Sequence, residues 1–228
     1  MGLLPTLGIC AVLWTVSSWL YYYLVDALDL DLGYSDAPFI FFAYYLGWSI
    51  IAMAVFRRAL HRALRPTSIR NHTLALLPVL VCLGLFVSVG LPMLPDVSIY
   101  RAPADPPEFM FATAWYYLPK SADILFQQVM VAAIILTAAH LRMKTFRIAL
   151  ILAALFGSIH LSLALDGFTP LYVARFTIAA TVFGLCAPYL YLNVRHGFRW
   201  AYSAHWSFYA IDAAVTHLVL AAPPPSTG

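Results

Sequence analysis

Long apolar runs divide this chain, and they constrain its fold more than any other feature. A helix needs about 20 apolar residues to cross a bilayer, and backbone polar groups in lipid must be satisfied inside the spanning structure. The runs therefore predict an all-α, polytopic transmembrane helix bundle with about seven spans. The spans are expected at residues 3–24, 38–56, 73–94, 123–141, 146–165, 171–192 and 202–221.

Composition agrees with a chain that lies in the membrane. Of its 228 residues 63% are hydrophobic and 10% are charged, whereas a soluble domain carries about 25% charged residues. We predict one integral membrane domain, residues 1–228, with the lipid bilayer as a partner and no nucleic acid. The predicted location is an inner membrane of the bacterial type.

The charged residues predict an orientation. Ten of the thirteen Lys and Arg residues fall in alternate loops: Arg57, Arg58, Arg62, Arg65, Arg70, Arg142, Lys144, Arg147, Arg195 and Arg199. Those loops contain no acid. Because loops rich in Lys and Arg stay in the cytoplasm, we expect the N-terminus inside and the C-terminus outside.

Two connecting segments depart from the alternation of spans and short loops. The basic connector 57–72 is predicted to form a short amphipathic helix on the anionic inner leaflet. The outer loop 95–120 has four prolines in its first half, which exclude a long helix there. Its stretch FMFATAWYYL is expected either to lie at the membrane interface or to cover a cavity as a lid.

Polar residues interrupt the fourth and fifth spans. Ionisable groups inside spans are rare and usually functional. Asp123 and Gln127 are four residues apart and share a helix face, as do Phe156 and His160. Gln127 and Gln128 are expected to hydrogen-bond between helices. For Asp123, an exposed place at the outer interface is an alternative.

The seventh span carries a polar stripe. His205, Tyr209 and Asp212 follow one another at helical spacing. Asp212 lies near the middle of the membrane, where an unpaired charge is costly, so it is expected to be protonated or partnered. His160 on the fifth span is the expected cross-helix partner.

Three chemistries suit such a cluster of Asp and His. The first is hydrolysis, in which a carboxylate activates water and histidines stabilise the oxyanion. The second is a metal site, although no HExxH motif is present. The third is bis-histidine haem ligation. Four histidines are candidates for it: His140, His160, His205 and His217. The residues alone do not identify a cofactor, and hydrolysis would require none.

The second half of the chain carries motifs that suggest a family. LFGSIHL fits the pattern FxxxH through Phe156 and His160, ADILFQQ occupies the place of an EExxxR motif, and AHWSFY follows at His205. In this order the motifs resemble the CPBP family, the CAAX prenyl endopeptidase and bacteriocin-processing type of intramembrane protease. The resemblance covers about 40% of the chain, residues 121–212. It divides the domain into accessory spans (1–95), an outer loop or lid (96–120), a CPBP-like core (121–221) and a tail (222–228).

The chain departs from the family pattern at its catalytic positions. Ala122 and Asp123 stand in place of the two glutamates, Gln127 replaces the arginine, and Tyr209 replaces the Asn or Asp that follows the histidine. The resemblance implies that a glutamate activates the attacking water, which Ala122 cannot do. Asp123 lies about 100° further round the helix.

Two principal hypotheses follow. In one, the chain is a divergent endopeptidase that cleaves a transmembrane or lipidated peptide. Asp123 or Asp212 is then the general base, and His160 and His205 stabilise the oxyanion or donate a proton. In the other, it is a pseudoprotease that serves as a scaffold or subunit among partner membrane proteins. A haem or metal carrier is a lesser alternative.

Overall fold

The computed structural model describes residues 2–31, 33–63, 69–98, 100 and 112–221. These ranges are helical apart from turns, short connections and an isolated antiparallel bridge between Val97 and Ala221. The α-helices are α1 (Leu3–Ala27), α2 (Pro38–Val55), α3 (Arg57–Ala63), α4 (Ile69–Leu85), α5 (Tyr117–His140), α6 (Thr145–Leu161), α7 (Pro170–Asn193) and α8 (Gly197–Val219). The predicted all-α class is confirmed.

Within the described ranges, five segments are long and apolar enough to cross a membrane: α1, α2, α5, α7, and α6 together with the 3-10 turn that extends it to Leu165. The other two predicted spans also fall on helices. The third is interrupted, because α4 ends at Leu85 and passes into a π turn (Phe86–Gly90) and a 3-10 turn (Leu91–Met93). Its apolar part, Leu77–Met93, is shorter than the other spans.

Local sequence explains how α7 begins and how α7 is joined to α8. Pro170 occupies the first turn of α7, where its missing N–H leaves no bond unmade, and Thr169 Oγ1 accepts a hydrogen bond of 3.4 Å from the Tyr172 N–H. His196 has a left-handed φ of 58°, and Gly197 then begins α8. A Cβ at Gly197 would overlap the Leu190 carbonyl, so glycine allows the start of α8 to lie against the end of α7.

Helix α5 lies at the centre of the bundle. Of its most apolar stretch 78% is buried, against 22% for each of the other four spanning segments. It contacts α1, α2, α3, α6, α7 and α8. The surrounding helices expose large apolar side chains, such as Trp19 (65%) and Ile178 (64%), as expected where a helix faces lipid.

Small residues bring α6 and α7 close together. A Cβ built at Gly184 would lie 2.6 Å from the Ala153 backbone nitrogen, and one at Gly157 would lie 2.6 Å from Thr181 Oγ1. Small residues allow such close approach of helices in membranes. The α6–α7 pair therefore forms a closely packed wall beside α5.

The structure corrects the predicted start of the fourth span. Helix α5 begins at Tyr117, so Lys120 belongs to its first turn and not to the outer loop. Before it, Trp115 is 55% exposed whereas Tyr116 is buried, so these aromatic residues do not all face outward. The lid prediction rests largely on residues 99 and 101–111, which lie outside the described residues, as does the tail 222–228.

The basic connector is described only in part. Helix α3 (Arg57–Ala63) packs against α5, while residues 64–68 lie outside the described ranges. Its place on the inner leaflet stays a prediction.

Candidate functional site

A cavity of about 990 Å³ opens among α1, α5, α6, α7 and α8. We call it the main cavity. Its lining is apolar for the most part, with Leu7, Phe156 and Phe208 among the contributing side chains. The larger polar side chains on its wall are Gln127, His160, His205 and Tyr209. The cavity thus combines an apolar body with a few polar groups, as ligand sites commonly do.

Asp123 does not line this cavity and is fully engaged inside α5. Lys120 Nζ lies 2.8 Å from its Oδ2, and Gln127 Nε2 donates to its Oδ1 at 2.9 Å. Asp123 is only 6% exposed, so the alternative that it sits exposed at the outer interface is wrong. Lys120 also lies 4.1 Å from the centroid of the Tyr209 ring, a cation–π contact.

The engagement of Asp123 limits its chemistry. A general base must reach the proton it removes, within about 2.6–3.2 Å or through one water. Here one carboxylate oxygen faces an ammonium and the other accepts from an amide, and both donors belong to the same helix. The carboxylate is therefore charge-compensated, and it is not presented to the main cavity.

His160 presents a nitrogen without a partner in the described part of the chain. Its Nδ1 donates a hydrogen bond of 2.8 Å to the Phe156 carbonyl, one turn earlier on α6. A carbonyl can only accept, so Nδ1 carries the proton and Nε2 of the neutral ring is an acceptor. The ring stacks on Phe176 with centroids 6.3 Å apart. Sequence spacing correctly placed Phe156 and His160 on one face.

His205 is held by a hydrogen-bonded chain from α5 and α7. The Tyr191 hydroxyl donates to Gln128 Oε1 at 2.7 Å, and Gln128 Nε2 lies 2.9 Å from His205 Nδ1. Because the amide oxygen accepts from tyrosine, the amide nitrogen donates to the imidazole. The neutral ring then keeps its proton on Nε2. Gln128 is buried and links three helices, as expected for an interhelical hydrogen-bonder.

The two histidines therefore offer complementary groups to one cavity. His160 offers an acceptor nitrogen and His205 offers an N–H donor. Tyr209 packs against His205 with ring centroids 5.7 Å apart, as the predicted stripe on α8 implies. A ligand group with one acceptor and one donor, such as a peptide unit, suits this pair.

Asp212 is not part of this arrangement. It forms an ion pair with Arg175 of α7, and the predicted pairing with His160 is wrong. A guanidinium carries a permanent positive charge and compensates a membrane-buried carboxylate better than a neutral imidazole. Of the neighbouring residues on α8, Ile211 lines the main cavity and Asp212 does not. Neither of the two carboxylates proposed as bases therefore lines the main cavity.

Sequence reasoning missed Lys120 and Arg175. The predicted fourth span starts at residue 123, whereas α5 starts at Tyr117, so the prediction leaves Lys120 in the loop. Arg175 lies within the predicted span 171–192 but is not among the predicted site residues. The sixth and seventh predicted spans carry one charge of opposite sign each, and this pattern could have revealed the Arg175–Asp212 pair.

Of the four candidate histidines for haem, two share a cavity and two lie elsewhere. His160 and His205 line the main cavity, His140 lines a second cavity, and His217 Nδ1 donates to the Pro95 carbonyl at 2.9 Å. Within the described ranges, no three His, Cys, Asp or Glu side chains come together in a way that would hold a metal ion.

No protein-family model, curated protein or solved structure matches this chain. The resemblance to the CPBP family therefore stays a prediction. The roles of His160 and His205 in one cavity therefore depend on their own geometry.

Proposed function

We propose that this chain is a membrane-embedded binding protein of the pseudoprotease type, which takes up a transmembrane or lipidated peptide in the main cavity without cleaving it. One observation carries the proposal: among the described residues that line the cavity there is no carboxylate. Asp123 is engaged by Lys120 and Gln127, and Asp212 by Arg175. A water bound beside the histidines has no carboxylate to activate it.

The chemistry of the wall supports a peptide that carries an apolar chain. The apolar lining suits a prenyl or acyl group, or the side chains of one turn of a partner helix. The acceptor on His160 and the donor on His205 suit the N–H and C=O of a peptide bond next to that group. The partner can equally be a separate substrate-like peptide or a fixed subunit.

Filling the main cavity is expected to abolish binding. Ala180 on α7 lines the cavity, and Ala180→Trp places an indole inside it. In nanodiscs, we expect a fluorescent farnesylated peptide or a fluorescent single-span peptide to bind saturably, and Ala180→Trp to weaken that binding at least tenfold. Ile178→Trp is the matched control, because residue 178 faces outward on the same helix. Failure of both probes to bind to folded wild-type protein contradicts the proposal.

A divergent endopeptidase remains the second candidate, because both histidines of the family-like motifs line the same cavity. Mass spectrometry of the same peptides after incubation separates the two functions. We expect intact peptide. Cleavage that disappears in both His160→Ala and His205→Ala would establish proteolysis and overturn the non-hydrolytic proposal.

We also propose seven spans with the N-terminus in the cytoplasm, on the basis of the Lys and Arg distribution. Cysteine labelling tests this orientation in a variant in which Cys10, Cys82 and Cys186 are replaced by alanine. A membrane-impermeant maleimide should label Asp36→Cys in intact cells and Arg147→Cys only after the cells are opened. Both positions are exposed in the structure. The reverse pattern would invert the orientation, and labelling of both from one side would change the number of spans.

A further inference from the structure

A second cavity, of about 730 Å³, lies where α2, α5 and α7 end. We call it the basic cavity. Its wall includes Arg57, Arg58 and His140, together with apolar residues such as Val55 and Leu136. The described residues that line it include no acid. It therefore joins a positively charged rim to an apolar interior.

The positive charge of this rim has no counter-charge in the described part of the chain. Arg57 and Arg58 are exposed, and neither forms an ion pair with a described residue. The C-terminal end of a helix carries about half a negative charge, which such arginines often offset. At the ends of α2 and α5, backbone N–H groups already donate hydrogen bonds to carbonyls. The Phe56 N–H donates to the Ala52 carbonyl at 2.9 Å, and the Leu141 N–H donates to the Thr137 carbonyl at 3.1 Å. Two full positive charges exceed what those ends require.

We propose that the basic cavity binds the headgroup of an anionic phospholipid. Guanidinium groups match phosphate oxygens in charge and in bidentate geometry, and basic pockets between transmembrane helices recognise anionic headgroups. The apolar wall formed by Val55 and Leu136 accommodates the start of an acyl chain. This site is separate from the main cavity and does not depend on the function proposed for that cavity.

Native mass spectrometry of the purified full-length protein tests the proposal, with phosphatidylglycerol as the probe and phosphatidylcholine as the neutral lipid. We expect one phosphatidylglycerol to be retained in preference to phosphatidylcholine. Each basic group near an anionic lipid contributes about fivefold to affinity, so R57Q/R58Q should weaken retention at least tenfold. R147Q/R195Q removes two exposed basic residues from the same predicted side of the membrane and should change the retention less than about twofold.

The remaining variants decide between specific and general attraction. Leu136→Trp fills the apolar part of the basic cavity without altering its charge, so it should also displace the lipid. This variant keeps the proposal testable if R57Q/R58Q fails to fold. Equal weakening by R57Q/R58Q and R147Q/R195Q would overturn the proposal in favour of general surface charge. Displacement by millimolar glycerol 3-phosphate would overturn it in favour of a soluble phosphate ligand.

Discussion

Gly184→Leu is expected to unfold the bundle or to lower its free energy of unfolding by about 3 kcal/mol or more. A Cβ at this position would lie 2.6 Å from the Ala153 nitrogen and 2.7 Å from the Leu152 carbonyl carbon. These are backbone atoms of α6, which cannot rotate aside as a side-chain end can. Overpacking a well-packed core costs about 1–3 kcal/mol and sometimes more, and here two whole helices would have to separate.

Gly47→Leu provides the control for Gly184→Leu. Gly47 lies within α2 and has no neighbouring atom within 4 Å of a built Cβ, so the same substitution should change stability by less than about 1 kcal/mol. Unfolding in mixed detergent micelles, followed by tryptophan fluorescence, measures both variants. Similar stability of the two would show that α6 and α7 do not approach as closely as described. A folded but looser Gly184 variant should also lose peptide binding, because both helices line the main cavity.

Asp123→Leu is the second substitution with a large expected effect. It leaves the Lys120 ammonium buried, with its side chain only 11% exposed, next to the Tyr209 ring and without its carboxylate. Removal of one member of a buried ion pair costs about 3–5 kcal/mol, because the remaining charge has neither water nor partner. The same unfolding assay should register this loss.

The double variant Lys120→Met/Asp123→Leu tests whether the pair causes that loss. Replacement of both charges by apolar groups of similar size is often neutral, so the double variant should recover most of the stability lost by Asp123→Leu. Gln127→Leu, which removes a single hydrogen bond to Asp123, should cost about 1 kcal/mol. A double variant no more stable than Asp123→Leu would refute the coupling between Lys120 and Asp123.

Sequence periodicity predicted local relations correctly, because residues on one helix have fixed spacing. The shared faces of Asp123 with Gln127 and of Phe156 with His160 follow from a four-residue separation. The expected interhelical bond of Gln127 is wrong, because its amide donates to Asp123 on the same helix. The length of the apolar runs likewise predicted helices at every expected span. These properties depend on one segment at a time.

Relations between helices were less predictable. The sequence of α5 does not indicate that it is the central helix, because apolar side chains pack equally well against lipid and against protein. The expected partner of Asp212, His160, is likewise wrong, because the oppositely charged Arg175 on the adjacent helix forms the ion pair. Distances between residues on different helices depend on how the helices pack, and no single apolar run determines that packing.

The hydrogen bonds of α5 imply an order of assembly. Asp123 finds both of its partners within its own helix, so that segment can enter the membrane with this charge already compensated. Gln128 instead depends on Tyr191 and His205, which the ribosome adds 63 and 77 residues later. During synthesis the Gln128 side chain therefore lacks both of these hydrogen-bond partners until α7 and α8 have been added.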